Sequence, residues 1–75
     1  MSSRLPRVTA AQVITVLKAI GFFLTRQSGS HKIYKNAADR RVTVPFHSGK
    51  ILHLKTLKSI ISDSGLTVDE FIDLL

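Results

Sequence analysis

The sequence of 75 residues contains no cysteine. Disulfide bridges, thiolate chemistry and cysteine-based zinc sites are therefore excluded, and the composition is compatible with a reducing cytosol. No apolar run approaches the roughly 18 residues that a membrane span needs. The first thirteen residues include Arg4, Pro6 and Arg7 but no long apolar stretch, so they do not predict a secretory signal. We therefore expect a cytoplasmic protein with no membrane association.

Acidic residues are few and unevenly placed. Residues 1–58 contain eleven basic residues and one acid, Asp39, so this part carries a net charge of +10. Residues 59–75 contain four acids and no basic residue, so they carry −4. Because binding of a polyanion releases counterions, the basic part favours nucleic acid as a partner. The alternative is a charged surface that serves only solubility.

Motifs for metals and cofactors are also missing. His31, His47 and His53 form no HxxxH or HExxH pair, so we expect no zinc site. The chain has no glycine-rich phosphate loop, dinucleotide fingerprint, Ser-His-Asp arrangement or carboxylate pair. Its length allows one domain, residues 1–75, with residues 1–8 flexible and a core of modest size. We therefore expect no cofactor, and a functional site on the surface.

Three segments have helical patterns. A capping box at residues 9–12 opens a first helix over residues 10–20, which Gly21 ends. Leu54, Leu57, Ile60 and Ile61 at helical spacing predict a second amphipathic helix, which Gly65 ends. A second capping box, at residues 67–70, opens a short last helix as far as Leu75.

Between the first two helices the pattern is that of strands. Residues 22–28, 31–35 and 41–44 are separated by turns at Gly29-Ser30 and at residues 36–39 and are stopped by Pro45, which predicts a three-stranded antiparallel meander. We expect Ile33, Val42 and Val44 to point toward the helices, and Phe22 and Phe23 to lie in the core. The order α-β-β-β-α-α predicts an α+β fold with the helices on one face of the sheet.

His31 is the candidate for chemistry, because it begins the second strand among basic residues. An imidazole transfers protons near neutral pH. RNA carries its own nucleophile, the 2′-hydroxyl beside the phosphate, so one base and several cations would suffice for its cleavage. The alternative is an ordinary strand residue beside a turn. In a regular strand His31 shares a face with Ile33, which would leave it half buried at the edge of the layer, whereas a bulge at Gly29 would turn it outward. The sequence does not decide between the two.

Three other side chains have open interpretations. His47, in a loop, could assist His31 or contact phosphate, or could simply be solvated. Tyr34 could stack on a base or pack on the sheet. We expect His53, at the start of the second helix, to have no chemical role.

Two sequence runs resemble a known family. Residues 26–34 (RQSGSHKIY) and 42–47 (VTVPFH) are similar to the HicA (YcfA-like) toxins of prokaryotic toxin–antitoxin pairs. An opening helix that ends before Gly21-Phe22, the run KTLKSI at residues 55–60, and Gly65-Leu66 agree in order, so the resemblance covers about residues 9–72. The chain departs from many relatives at Lys55, where they carry glycine before the Thr-Leu pair.

The resemblance implies a double-stranded-RNA-binding-domain-like fold and metal-independent cleavage of messenger RNA in the prokaryotic cytoplasm. It also implies a HicB-like antitoxin that covers the active site until it is degraded. His31 matches the family's catalytic histidine, and the family supplies no agreed second catalytic group. Our hypothesis is an endoribonuclease, an mRNA interferase, in which His31 is the general base or the acid of the return proton transfer. The residues that we expect to contact RNA are Arg26, Ser30, Lys32, Lys35, Arg40, Arg41, His47, Lys50, Lys55 and Lys58.

Two rival hypotheses remain at this stage. A non-catalytic RNA-binding module of the same fold would bind structured RNA and cleave nothing. A DNA-binding regulator would need a recognition helix, whereas the basic residues here are spread over strands and loops.

Overall fold

A computed structural model describes residues 4–75. The elements in order are helix α1 (Ala10–Ala19), strands β1 (Phe23–Ser28), β2 (His31–Lys35) and β3 (Arg41–Pro45), and helices α2 (Leu54–Ser64) and α3 (Val68–Asp73). The strands form one antiparallel sheet in the order β1-β2-β3. The predicted α-β-β-β-α-α order and the double-stranded-RNA-binding-domain-like arrangement are confirmed, with element ends shifted by a few residues at most. No helix within residues 4–75 is long and apolar enough to span a membrane.

Both predicted capping boxes are present. The Thr9 side chain accepts from the backbone N–H of Gln12, and the Gln12 side chain accepts from the N–H of Thr9 at 2.9 Å. Thr67 and Glu70 make the same pair of hydrogen bonds at the start of α3, at 3.1 and 2.8 Å. Because each box satisfies two N–H groups that have no partner inside the helix, the sequence sets where α1 and α3 begin.

Helix α2 is held at both ends by side chains that the sequence pattern did not assign. His53 is its N-cap, and the Nδ1 atom of His53 accepts from the N–H of Lys55 at 3.2 Å. Gly65 ends the helix in the left-handed region, at φ 85°, and the Arg40 guanidinium lies over it, 3.1 Å from where a Cβ would stand. The Nη1 atom of Arg40 also donates to the carbonyl of Asp63 at 3.2 Å. A larger residue at position 65 would displace this arginine.

The helices cover one face of the sheet, mainly at β3. Tyr34, Val42 and Val44 are buried in the core beneath α1 and α2, and the register places Tyr34 directly opposite Val42. The prediction that Ile33 points inward is wrong: it is half-buried and pairs with Thr43 on the other face. Tyr34 takes its place, so it packs on the sheet, and burial raises the pKa of its hydroxyl.

Strand β1 lies at the far edge of the sheet, away from the helices, and all six of its residues are exposed. Phe22, just before the strand, is buried as predicted. The prediction for Phe23 is wrong, since 54% of it is exposed, and the next residue, Leu24, is 47% exposed. Two helices of this size cover β2 and β3 and leave β1 open on both faces.

The segment before α1 is tied to the segment before α2. Val8 is buried, its carbonyl accepts from the N–H of Leu52 at 2.8 Å, and Thr9 and Ile51 form an isolated antiparallel bridge. The flexibility predicted for residues 1–8 falls partly on residues 1–3, which lie outside the described residues. Within the described residues, ordered structure begins before α1.

Two leucines of α2 provide a matched test of where the core lies. Leu57 is fully buried, so Leu57→Ala leaves a cavity and we expect it to lower the free energy of unfolding by about 2–5 kcal/mol. Leu54 is 48% exposed, and Leu54→Ala should cost no more than about 1 kcal/mol. Urea denaturation of both variants measures this, and equal losses would contradict the packing described here.

Candidate active site

His31 follows a two-residue turn. Gly29 has a positive φ of 58° and Ser30 does not, which is the pattern of a type II′ hairpin turn and favours glycine at the first position. Because the turn has two residues, Ser28 pairs directly with His31. The carbonyl of Ser30 accepts from the N–H of Phe46 at 2.6 Å, so the turn is also held to the end of β3.

His31 points away from the helices and is exposed. Its partners across the sheet are Ser28 and Pro45, and it shares a face with Ile33, as strand alternation predicts. That face is the open one, because Tyr34 and not Ile33 points inward. Of the two arrangements that the sequence left open for His31, the exposed one is found, and no bulge at Gly29 is needed to expose the ring.

A bulge does occur, but in β1. Leu24 pairs with Tyr34 and Arg26 with Ile33, so Thr25 is an extra residue on the β1 side. The hydroxyl of Thr25 donates to the carbonyl of Ile33 at 3.0 Å. In a regular strand Arg26 would share the face of Leu24. The bulge instead puts Arg26 on the same face as His31.

The register thus defines an outer sheet face that the helices leave open. Arg26, Lys35 and Arg41, all predicted to contact RNA, share this face with His31. None of the strand residues on it is acidic. Its members are Phe23, Arg26, Ser28, His31, Ile33, Lys35, Arg41, Thr43 and Pro45. An imidazole among cations can transfer a proton and stabilise negative charge at the same place.

Lys35 forms a salt bridge with Asp39, the only acid in residues 1–58. Its Nζ lies 2.8 Å from an Asp39 carboxylate oxygen, and Asp39 adopts the left-handed conformation in the β2–β3 turn, at φ 64°. The hydrogen bond and positive charge of Lys35 hold the pKa of Asp39 below its ordinary value of 3.8. Lys35 therefore brings less free positive charge to the outer sheet face than its position suggests.

Three predicted RNA contacts lie elsewhere. Lys32 pairs with Val44 on the helix side of the sheet, and its Nζ stands 4.1 Å from the centre of the Phe46 ring. Arg40 lies against the end of α2, as described above, and Lys58 is exposed on α2. RNA contact by these residues stays a prediction, but the structure does not bring them to the outer sheet face.

The remaining predicted contacts, apart from Ser30 in the turn, line a groove between the edge of β3 and α2. One cavity, of about 230 Å³, is lined by Pro45, His47, Lys50, Ile51, Leu52, His53 and Thr56. A second, of about 340 Å³, is lined by Thr43, Lys55, Thr56, Ser59, Ile60 and Asp63. Thr56 is common to both, so they are neighbours, and together we call them the β3–α2 groove. Pro45 and Thr43 belong both to this groove and to the outer sheet face.

Two features escaped the sequence analysis. Ser28 lies opposite His31. A two-residue turn at Gly29-Ser30 pairs the residues on either side of it, so the sequence contained the signal for this pair. The bulge at Thr25 had no recognisable signal, because a strand with one extra residue has the same composition as one without. Among the described residues, no three His, Asp or Glu side chains are grouped so that they could hold a metal ion.

Comparison with known proteins gives one family. The model of that family, the HicA toxin of bacterial toxin–antitoxin systems, matches residues 10–66. This range contains α1, the whole sheet and α2, and therefore the outer sheet face and the β3–α2 groove. No curated protein matches the chain significantly.

The Lys35–Asp39 pair makes a testable prediction about acid. Because the folded-state pKa of Asp39 is lowered, the pair stabilises the fold above the ordinary pKa of aspartate, and this contribution is lost as the pH falls through the lower value. We expect Lys35→Met to raise the pKa of Asp39, measured by NMR titration of its carboxyl carbon. Lys50→Met, in the groove, is the control and should leave that pKa unchanged. An identical titration of Asp39 in all three proteins would contradict the pairing.

Proposed function

The chain belongs to the HicA family of toxins of bacterial toxin–antitoxin systems and so has a cognate antitoxin, and from this premise we propose that it is an endoribonuclease that cleaves messenger RNA. His31 is the acid–base residue of the proposal. The observation that carries it is that this imidazole is exposed on the outer sheet face with Arg26 and Arg41 on the neighbouring strands.

The reaction needs only groups that lie on this face. His31 accepts the proton of a ribose 2′-hydroxyl while that oxygen attacks the adjacent phosphorus. The bond from phosphorus to the 5′-oxygen breaks, and the imidazolium returns its proton to this leaving oxygen. The products are a 2′,3′-cyclic phosphate and a 5′-hydroxyl end. One imidazole serves both proton transfers, so the charge of the protein is restored after each turnover.

The guanidinium groups supply the electrostatic part. Negative charge grows on the non-bridging phosphate oxygens as the phosphorane forms, and arginine can donate two parallel hydrogen bonds to them. Arg26 and Arg41 lie on either side of β2, so a strand of RNA crossing the sheet would meet one of them on each side of the central strand. The bulge at Thr25 is what makes Arg26 available for this role.

The same surface suits the proposed partners. Because the reaction needs a 2′-hydroxyl, RNA is a substrate and DNA is not. Messenger RNA is the proposed substrate because it is the single-stranded RNA that is accessible in the prokaryotic cytoplasm. The antitoxin of the proposal is a HicB-like protein that covers the outer sheet face. Residues 1–58 carry +10, so its covering surface should be acidic.

His31→Ala is the direct test. Loss of an acid–base group should lower the cleavage rate by about 10²–10⁴-fold and remove growth inhibition. Because His31 is exposed, the free energy of unfolding should change by no more than about 0.5 kcal/mol, and RNA affinity should stay close to that of the wild type. Cleavage is measured on a labelled transcript in the presence of a chelator, and affinity by fluorescence anisotropy.

Two controls separate this proposal from the rival RNA-binding module. Ser28→Ala removes the neighbour opposite His31 without removing the imidazole, and should keep most of the activity. A substrate with a single 2′-deoxyribose at the cleaved position should resist the wild-type enzyme, since its nucleophile is gone. Undiminished cleavage by His31→Ala would end the catalytic assignment, and intact RNA after long incubation with the wild type would favour the binding module.

The outer sheet face also predicts a specific salt dependence. Arg26→Gln and Arg41→Gln should each remove about one phosphate contact, reducing the slope of log K against log salt by about 0.7 for single-stranded RNA. Lys18→Gln, an exposed position on α1, is the matched control and should leave the slope unchanged. Equal slopes for all four proteins would place the RNA on another surface.

A further inference from the structure

One end of the β3–α2 groove lies beside His31. Pro45 is opposite His31 in the β2–β3 pairing and also walls the cavity that His47 and Lys50 line. Neighbouring strands are about 4.8 Å apart, so this cavity is one strand away from the imidazole. A nucleotide attached to the phosphate at His31 can therefore reach it without leaving the protein surface.

Part of the lining of this cavity is apolar and held in place. Ile51 is 52% exposed in the midst of a basic surface, where a large aliphatic side chain contributes nothing to phosphate binding. Its backbone is held by the bridge with Thr9, and the next residue, Leu52, is buried and its N–H donates to the carbonyl of Val8. The backbone of this apolar part of the lining is thus held in place before any ligand arrives, which lowers the entropy cost of binding there.

The lining of the cavity also includes two imidazoles and a cation. The Nδ1 atom of His53 accepts from the N–H of Lys55, so the neutral ring carries its proton on Nε2 and has that donor available. His47 is exposed in the segment just after β3, and an imidazole face can stack on a base. Lys50 lines the same cavity and supplies positive charge for a backbone phosphate.

We infer that this end of the groove binds the nucleobase of the nucleotide next to the scissile phosphate and thereby sets the sequence preference of cleavage. The inference rests on the proposed function, because that function places the scissile phosphate at His31. A base has two apolar faces and a hydrogen-bonding edge. The cavity offers an apolar contact in Ile51, a stacking ring in His47 and a donor in His53 for an acceptor on the base edge.

The first experiment maps cleavage sites on a long transcript of mixed sequence by sequencing the 5′-hydroxyl ends. Ile51→Ser and His47→Ala should flatten the preference at the nucleotide next to the cut and raise KM about tenfold, the effect of losing base stacking. Leu75→Ser is the matched control, because Leu75 is 51% exposed and belongs to the C-terminus, not to the groove. An unchanged preference and KM in both groove variants would overturn the inference.

The second experiment does not depend on cleavage. Full-length His31→Ala, labelled with ¹⁵N, is titrated with the four dinucleotides that carry each base and a 2′-deoxyribose in place of the attacking ribose. At least one dinucleotide should shift the amide resonances of His47, Ile51 and His53. In the same background, Ile51→Ser should weaken the affinity for that dinucleotide about tenfold. If a dinucleotide shifts these resonances but the wild-type protein cleaves no RNA, the proposed function is wrong and the base site stands. Absence of shifts with all four dinucleotides would overturn the base site.

Discussion

The whole molecule depends on the fact that its small sheet is buried on one face only. Val42 and Val44 alternate with Arg41 and Thr43 along β3, so packing the valines against α1 and α2 forces their polar neighbours to the opposite side. Of its three helices, α1 and α2 pack on the sheet, and no element within residues 4–75 covers the other face. The open face is therefore a consequence of how the core forms, and His31, Arg26 and Arg41 lie there.

Strand β3 connects the two parts of the proposed site. Its side chains reach the outer sheet face, where His31 and the arginines lie, and its edge forms one wall of the groove against α2. An RNA strand can then be held in two distinct ways: by charge on the sheet, where any sequence binds, and by shape in the groove, where bases differ. This division explains why His47 and Lys50 are separated from Arg26 and Arg41 although all four were predicted to contact RNA.

The sequence predicts the fold well because its local signals are explicit. The two capping boxes and the Gly29-Ser30 turn fix the ends of four elements, and the order of elements then follows. The faces of the strands are harder to predict. Strand β2 has one apolar residue of each parity, Ile33 and Tyr34, so its own alternation cannot decide which points inward; pairing with Val42 decides it. His31 could accordingly be identified from its neighbours in the chain, while its exposure followed only from the register.

The bulge at Thr25 has a consequence beyond the orientation of Arg26. Strand β1 is an unshielded edge with two large apolar side chains, and such an edge normally recruits further strands from other molecules. An extra residue distorts the ladder there, and the adjacent arginine brings like charges together whenever two copies approach. The irregularity that brings Arg26 to the outer sheet face is thus also a safeguard against fibrous self-assembly, which matters most for a toxin that has been released from its antitoxin.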